Sequence, residues 1–264
     1  MAAKVDWTSV ARTIARAESA GAVIGLAAVA PSGERFSHNG DRRFVAASTV
    51  KIAIMIELFR RIDAGTLTLD LRHRLRSEDK STGGGVILHL HDGIEFTLGD
   101  LVYLMMAISD NTATNVLIDY VGMDKVNAAM RSLGMTASVL GRKMRGRPVL
   151  ASEQENWAVP NEFALMIAAL LDGRAASSSA CMQMIALMEK IQNDRRIARH
   201  LPREGGPRWG SKTGTLPGAV NDVGFILTAG GPLILSVYCE RPENALAGEE
   251  IIGDISRDVL AAVS

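Results

Sequence analysis

The chain has 264 residues, enough for one or two domains and for a core that needs neither disulfide nor metal. Lys+Arg and Asp+Glu both count 29, so the formal net charge is zero, which excludes a polybasic nucleic-acid or membrane-surface binder. With 47% hydrophobic and 22% charged residues, long disorder is excluded as well.

Apolar positions Trp7, Val10, Ile14 and Ala15 recur at helical spacing and predict a helix over 7–19, ended by Gly21. The apolar run 22–30, the turn Pro31-Ser32-Gly33 and the return from Glu34 to His38 predict a two-stranded hairpin. Residues 48–64 predict a strong helix, with Ile52, Met55, Ile56, Phe59 and Ile62 on one stripe and Gly65 after it. The middle, about 66–200, reads as mostly helical. Thr97 caps a helix to about 108, and further helices fall at about 112–121, 123–133, 161–172 and 178–194. Residues 139–160 carry little periodicity and contain Pro148 and Pro160, which predicts a long surface loop of the kind that often carries function. Strands follow at 207–215, 219–229 and 232–240, and a closing helix at 245–262.

The expected fold class is α+β. The hairpin and the C-terminal strands form one antiparallel sheet, flanked by the first and last helices. The central helices form an all-helical lobe, and the junction between lobes is the expected site. One domain spans 1–264, divided into an α/β lobe (1–47 with 205–264) and a helical lobe (48–204).

Cys181 and Cys239 do not make a disulfide framework and are read as reduced thiols. His89 and His91, at i and i+2 with no third ligand nearby, are read as surface residues, so no metal is expected. No cofactor is expected either. The N-terminal segment has no apolar stretch of signal-peptide length, which predicts a cytoplasmic protein unless such a peptide has been removed. No window is apolar enough to span a membrane. The expected partner is a small-molecule substrate, with neither nucleic acid nor membrane.

Three short motifs carry chemistry. Ser48-Thr49-Val50-Lys51 puts a serine and a lysine on one helical face at the expected start of a helix. Free amides there suit a nucleophile whose attack builds an oxyanion. Lys51 is either an adjacent base or an electrostatic support. Ser109-Asp110-Asn111 follows a helix end. Ser109 offers a hydroxyl to a leaving nitrogen, Asn111 an amide to a substrate carbonyl, and Asp110 holds the turn. In Lys212-Thr213-Gly214-Thr215, on a predicted strand, Lys212 and Thr213 suit a carboxylate, and Gly214 allows close backbone approach. Each motif alone also fits a cap, a turn or an edge strand.

Their order, spacing and contexts match the signature of class A β-lactamases and penicillin-binding proteins. The chain resembles that family over nearly its whole length, including LMMAISDNTATNVLID and WGSKTGTLPGAVNDVGFI. The resemblance implies a β-lactamase/transpeptidase-like fold and roles for matching residues. Ser48 is implied as the acylated nucleophile, and Lys51 as the base or its support. Ser109 is implied as the proton shuttle and Asn111 as the substrate amide contact. Lys212, Thr213 and Thr215 are implied as the carboxylate grip, and the amides of Ser48 and Thr215 as the oxyanion hole. Asn221-Asp222 matches a structural turn in the next strand, without chemistry, and Gly83-Gly84-Gly85 is either a cleft rim or a flexible turn.

The resemblance fails at one place. The family's deacylating glutamate lies in an ExxLN pattern, whereas Gly141 to Pro148 contains no acid, and that glutamate's position falls near Gly146. Glu153 and Glu155 come later; Glu155-Asn156 is a possible replacement pair, and otherwise both acids are solvated loop residues. Three functions follow: a β-lactamase, of full or weak activity; an esterase or amidase using the same site; or a binding protein acylated once without turnover.

Overall fold

The computed structural model describes residues 5–147 and 149–263; Pro148 of the expected loop lies outside them. Helix α1 (Thr8–Ser19) leads into the hairpin β1 (Val23–Val29) and β2 (Arg35–His38), followed by the short β3 (Phe44–Val45). A 3-10 turn, Ala47–Val50, runs straight into α2 (Lys51–Asp63). Strands β4 (Arg72–Arg74) and β5 (Glu95–Thr97) precede α3 (Leu98–Ala107), α4 (Asn111–Val121) and α5 (Met123–Ser132). Then come β6 (Trp157–Ala158), α6 (Pro160–Leu171), α7 (Ser178–Met188), β7 (Trp209–Leu216), β8 (Ala219–Thr228), β9 (Gly231–Glu240) and α8 (Ala245–Val263).

The N-terminal hairpin joins the C-terminal meander in a five-stranded sheet of order β2-β1-β9-β8-β7, with antiparallel pairs such as Leu26↔Val237. Because side chains alternate across the sheet, it has two apolar faces. Ile24, Leu26, Val237 and Cys239 pack under Val10 and Ile14 of α1 and Ile252, Ile255 and Val259 of α8. Phe225 and Tyr238 belong to the other cluster, with Phe163 of α6 and the buried run Ile52–Phe59 of α2. A helix apolar on nearly every side must lie at the centre of its lobe, and α2 does.

Four sequence expectations need correction. The helix expected from 48 begins at Lys51, because the first turn is wound as 3-10. The 66–200 segment holds a small β4–β5 sheet whose short strands carry too few residues to show period-2 alternation. The helix expected over 178–194 ends at Met188. The loop 139–160 is not free surface: β6 pairs with β3, Phe44↔Ala158, and Val139 bridges Trp157. Cys181 and Cys239 are both buried and free. His89 and His91 are both exposed, and the described residues contain no metal-binding cluster. None of the described helices is long and apolar enough to cross a membrane.

Candidate active site

Ser48 sits half-buried on the 3-10 turn. The residue before it, Ala47, has φ 47°, and Ser109 has φ 61°. Non-glycine residues in the left-handed region cost about 1–3 kcal/mol each and persist only where their surroundings force them. Here the forcing contacts are visible. Asn221 Nδ2 donates to the carbonyls of Val45 at 2.8 Å and Ala46 at 3.3 Å, and Ala46 N donates to Asn156 O at 2.8 Å. On the other wall, Lys51 Nζ donates to Ser109 O at 2.7 Å.

Lys51 is fully buried. Its Nζ also reaches Ser109 Oγ at 3.1 Å and Asn111 Oδ1 at 2.9 Å, so one amine joins the first motif to the second. Burial, and then the positive charge of Lys212, push its pKa well below the ordinary lysine value, against the pull of Asp110. An amine placed in this way is available as a base at lower pH than a surface lysine. Asp110 caps α4 through Oδ1 to Ala113 N at 2.9 Å, while Oδ2 accepts from Val86 N at 2.7 Å and Ile87 N at 2.9 Å. Asn111 Nδ2 donates to Thr82 O at 2.9 Å. These bonds set Gly84 beside Ser109 and Gly83 beside Asn111, and both glycines line the cleft.

The opposite wall is β7, an edge strand that packs on the 3-10 turn. Leu216 and Ala219 close the β7–β8 hairpin, so alternation along an antiparallel ladder turns the amide of Thr215 toward the free edge, where Ser48 lies. A Cβ on Gly214 would come 3.1 Å from Ser48 N and 2.9 Å from Ala46 O, so only glycine leaves this approach relaxed. Lys212 is fully buried; burial lowers its pKa to about 7, with Asp222 pulling upward and Arg196 downward. Its Nζ donates to Thr213 O at 2.9 Å.

One residue here, Arg196, escaped sequence reasoning, and two others, Asn221 and Asp222, carried no assigned chemistry. Arg196 is buried, donates to Gly214 O at 2.9 Å, Asn221 O at 2.7 Å and Thr215 Oγ1 at 2.6 Å, and pairs with Glu249 at 3.3 Å. Asn221 and Asp222 lie in β8, the expected strand, as regular ladder residues and not as a turn. Asn221 ties down the segment before Ser48. Asp222 accepts from Ile197 N at 3.1 Å, and burial raises its own pKa. The cue in the sequence was the polar pair inside an otherwise apolar run; nothing in the sequence signals Arg196.

The loop from 141 forms the cleft's third wall. Asn115 and Met144 exchange two bonds of 2.8 Å, Ser81 Oγ donates to Met144 O at 2.7 Å, and Thr82 Oγ1 to Arg145 O at 2.9 Å. Gly146, with φ 61°, lies so close to Gly83 that a Cβ on it would come within 2.6 Å of Gly83 Cα. Met144, rather than an acid, packs inward from this wall into the core. Glu155 lines the cleft, but its carboxylate accepts from Arg142 Nε at 3.3 Å, Arg142 Nη2 at 3.4 Å and Asn156 N at 2.8 Å. Glu153 pairs with Arg147 at 2.7 Å, and that bond holds its pKa down at about 2. Ser48, Ser109, Asn111, Thr213 and Thr215 thus surround one cavity of about 590 Å³, with Lys51, Lys212 and Gly214 just behind its walls.

The profile of the β-lactamase enzyme family matches residues 8–263. The chain belongs to that family. It is a serine hydrolase of the β-lactamase type. A β-lactamase crystal structure from Sphaerobacter thermophilus is 56% identical, covers 98% of each chain and superposes with a TM-score of 0.96. The β-lactamase CTX-M-6 of Salmonella typhimurium is 28% identical over 94% of this chain and 84% of its own. A structure of PBP-A, at 24% identity, shares the fold, with a TM-score of 0.86 over 96% of this chain and 95% of its own.

Proposed function

We propose that this β-lactamase-family hydrolase opens β-lactams through an acyl-enzyme on Ser48. Neutral Lys51 takes the Ser48 hydroxyl proton as Oγ attacks the lactam carbonyl. The oxyanion forms against the amides of Ser48 and Thr215. As the C–N bond breaks, the proton passes through Ser109 Oγ to the leaving nitrogen. Lys212, Thr213 and Thr215 hold the substrate carboxylate, and Asn111 its acyl amide. The observation that supports this reading most is the Lys51 amine, buried and bonded to both Ser109 and Asn111 beside Ser48.

Release of the acyl group needs an activated water. The wall over 141–147 carries no carboxylate, and Glu155 is engaged by Arg142 and its neighbouring amide. We therefore read Glu155 as holding the loop, deacylation as the slow step, and Lys51 as the group that acts as base in it. The expected outcome with a chromogenic cephalosporin is a mass adduct on Ser48 that forms quickly and decays slowly. It should be absent in Ser48→Ala. Fast turnover without an accumulating adduct would refute slow deacylation; no adduct and no turnover would refute the β-lactam reading and leave an ester or amide as substrate.

A further inference from the structure

Two walls of the cleft bear cations, and only one has been given work. On the strand side, Lys212 with Thr213 and Thr215 suits one carboxylate. Across Ser48, the loop wall carries Arg142, Lys143, Arg145 and Arg147 within six residues, all lining the cavity. Three are committed: Arg142 pairs with Glu155 at 3.3 Å, Lys143 with Asp119 at 2.5 Å, and Arg147 with Glu153 at 2.7 Å. Arg145 is exposed, and its guanidinium has no acid partner among the described residues; only its carbonyl is used, by Thr82. Arg142 adds a second signal. It is nine-tenths buried, and its Nη1 makes no hydrogen bond, its nearest acid being Glu153 Oε2 at 3.9 Å. One further acid on the lining, Glu243, has no ion pair among the described residues and follows Arg241, whose N donates to Gly218 O at 2.8 Å beside the β7–β8 turn.

We propose that the loop wall selects substrates with a second anionic group, a carboxylate on the acyl side, read by Arg145 over the Arg142 floor. The inference rests on the acyl-enzyme reading of Ser48. Its geometry is that of a substrate pinned at both ends. With one carboxylate on Thr213 and Thr215, the reacting carbonyl at Ser48 and the acyl amide on Asn111, the acyl substituent is brought beside residues 142–147, because Gly83 packs against both Asn111 Nδ2 and Gly146. The cavity, at about 590 Å³, is large enough for such a bipolar ligand. A guanidinium with no acid of its own is set to bind an incoming carboxylate, by the fork geometry that suits arginine to carboxylates.

The test compares acylation of Ser48 by α-carboxybenzylpenicillin and by benzylpenicillin, which differ by that one carboxylate, in single-turnover mass spectrometry. The readout is the ratio of the two rates. The expected ratio favours the dianion by about fivefold at low salt, as for a partly exposed charge pair, and shrinks as salt is added. It falls to about one in Arg145→Ala, drops below one in Arg145→Glu, and returns in part in Arg145→Lys, which keeps the charge without the fork. Equal ratios in wild type and Arg145→Ala overturn the proposal. Failure of benzylpenicillin itself to form an adduct overturns the underlying acyl-enzyme reading, and the proposal with it.

Discussion

At the scale of single residues, the site asks two buried lysines for opposite protonation states. Lys51 must be neutral to take a proton, and Lys212 must be charged to hold a carboxylate. Both pKa values lie below the ordinary lysine value because burial penalises the ammonium; the charge of Lys212 lowers Lys51 further, and that of Arg196 lowers Lys212. The sign of the pH dependence follows. For the free enzyme, kcat/KM for acylation rises with pH as Lys51 loses its proton, and falls as Lys212 is neutralised through about pH 7. A bound carboxylate favours the charged form, so the alkaline limb in single-turnover kcat lies at higher pH than that in kcat/KM. Lys212→Arg, whose guanidinium stays charged, should abolish the limb near 7. A limb that stays near 7 in that variant would assign it to some other group.

At the scale of elements, the loop from 141 to 156 is held by its edges rather than by regular structure. Asn115 fixes Met144 with two bonds, Ser81 and Thr82 hold the next carbonyls, and Asn156 Oδ1 accepts from Gly141 N at 2.7 Å and Arg142 N at 2.9 Å. Losing two such bonds with the partner groups left behind costs on the order of 1–3 kcal/mol, all of it local. Asn115→Ala should therefore raise amide hydrogen exchange across 141–147 by about tenfold or more, while exchange in α2 stays the same. Unchanged exchange in the loop would mean that the Gly83–Gly146 contact and the Arg142 and Arg147 ion pairs suffice without Asn115.

At the scale of the whole molecule, the sheet separates two cores with different jobs. The layer of α1 and α8 against Ile24, Leu26 and Val237 supports the sheet from the face opposite α2 and α6. Ile255 is fully buried in that layer. Ile255→Ala should lower unfolding free energy by about 2–5 kcal/mol, the usual cost of a cavity, and leave the Ser48 acylation rate at 25 °C within about twofold. A large fall in acylation with little loss of stability would show that the two layers are coupled through Glu249 and Arg196.

Much of this was legible in the chain itself. The apolar runs and turn residues of 22–38 and 207–240 dictated strands, and the 3.6-residue stripes dictated the helices, because local geometry alone sets both periods. Three motifs in order named Ser48, Lys51, Ser109, Asn111 and Lys212–Thr215 as candidates, and the acid-free stretch after Gly141 marked where the family pattern breaks. Other features arose only from long-range contacts that leave no periodic trace. The 3-10 turn under Ser48 and the strained Ala47 and Ser109 exist because Asn221, Gly214 and Lys51 hold them from distant elements. The role of Arg196 depends on where α8 and β8 meet it. Whether Glu155 faces a water or an arginine, and which of four loop cations is left without an acid, depends on pairings across a folded loop. Those are decided by which charges the tertiary structure brings within a few ångströms of one another, a distance that spacing along the chain does not encode.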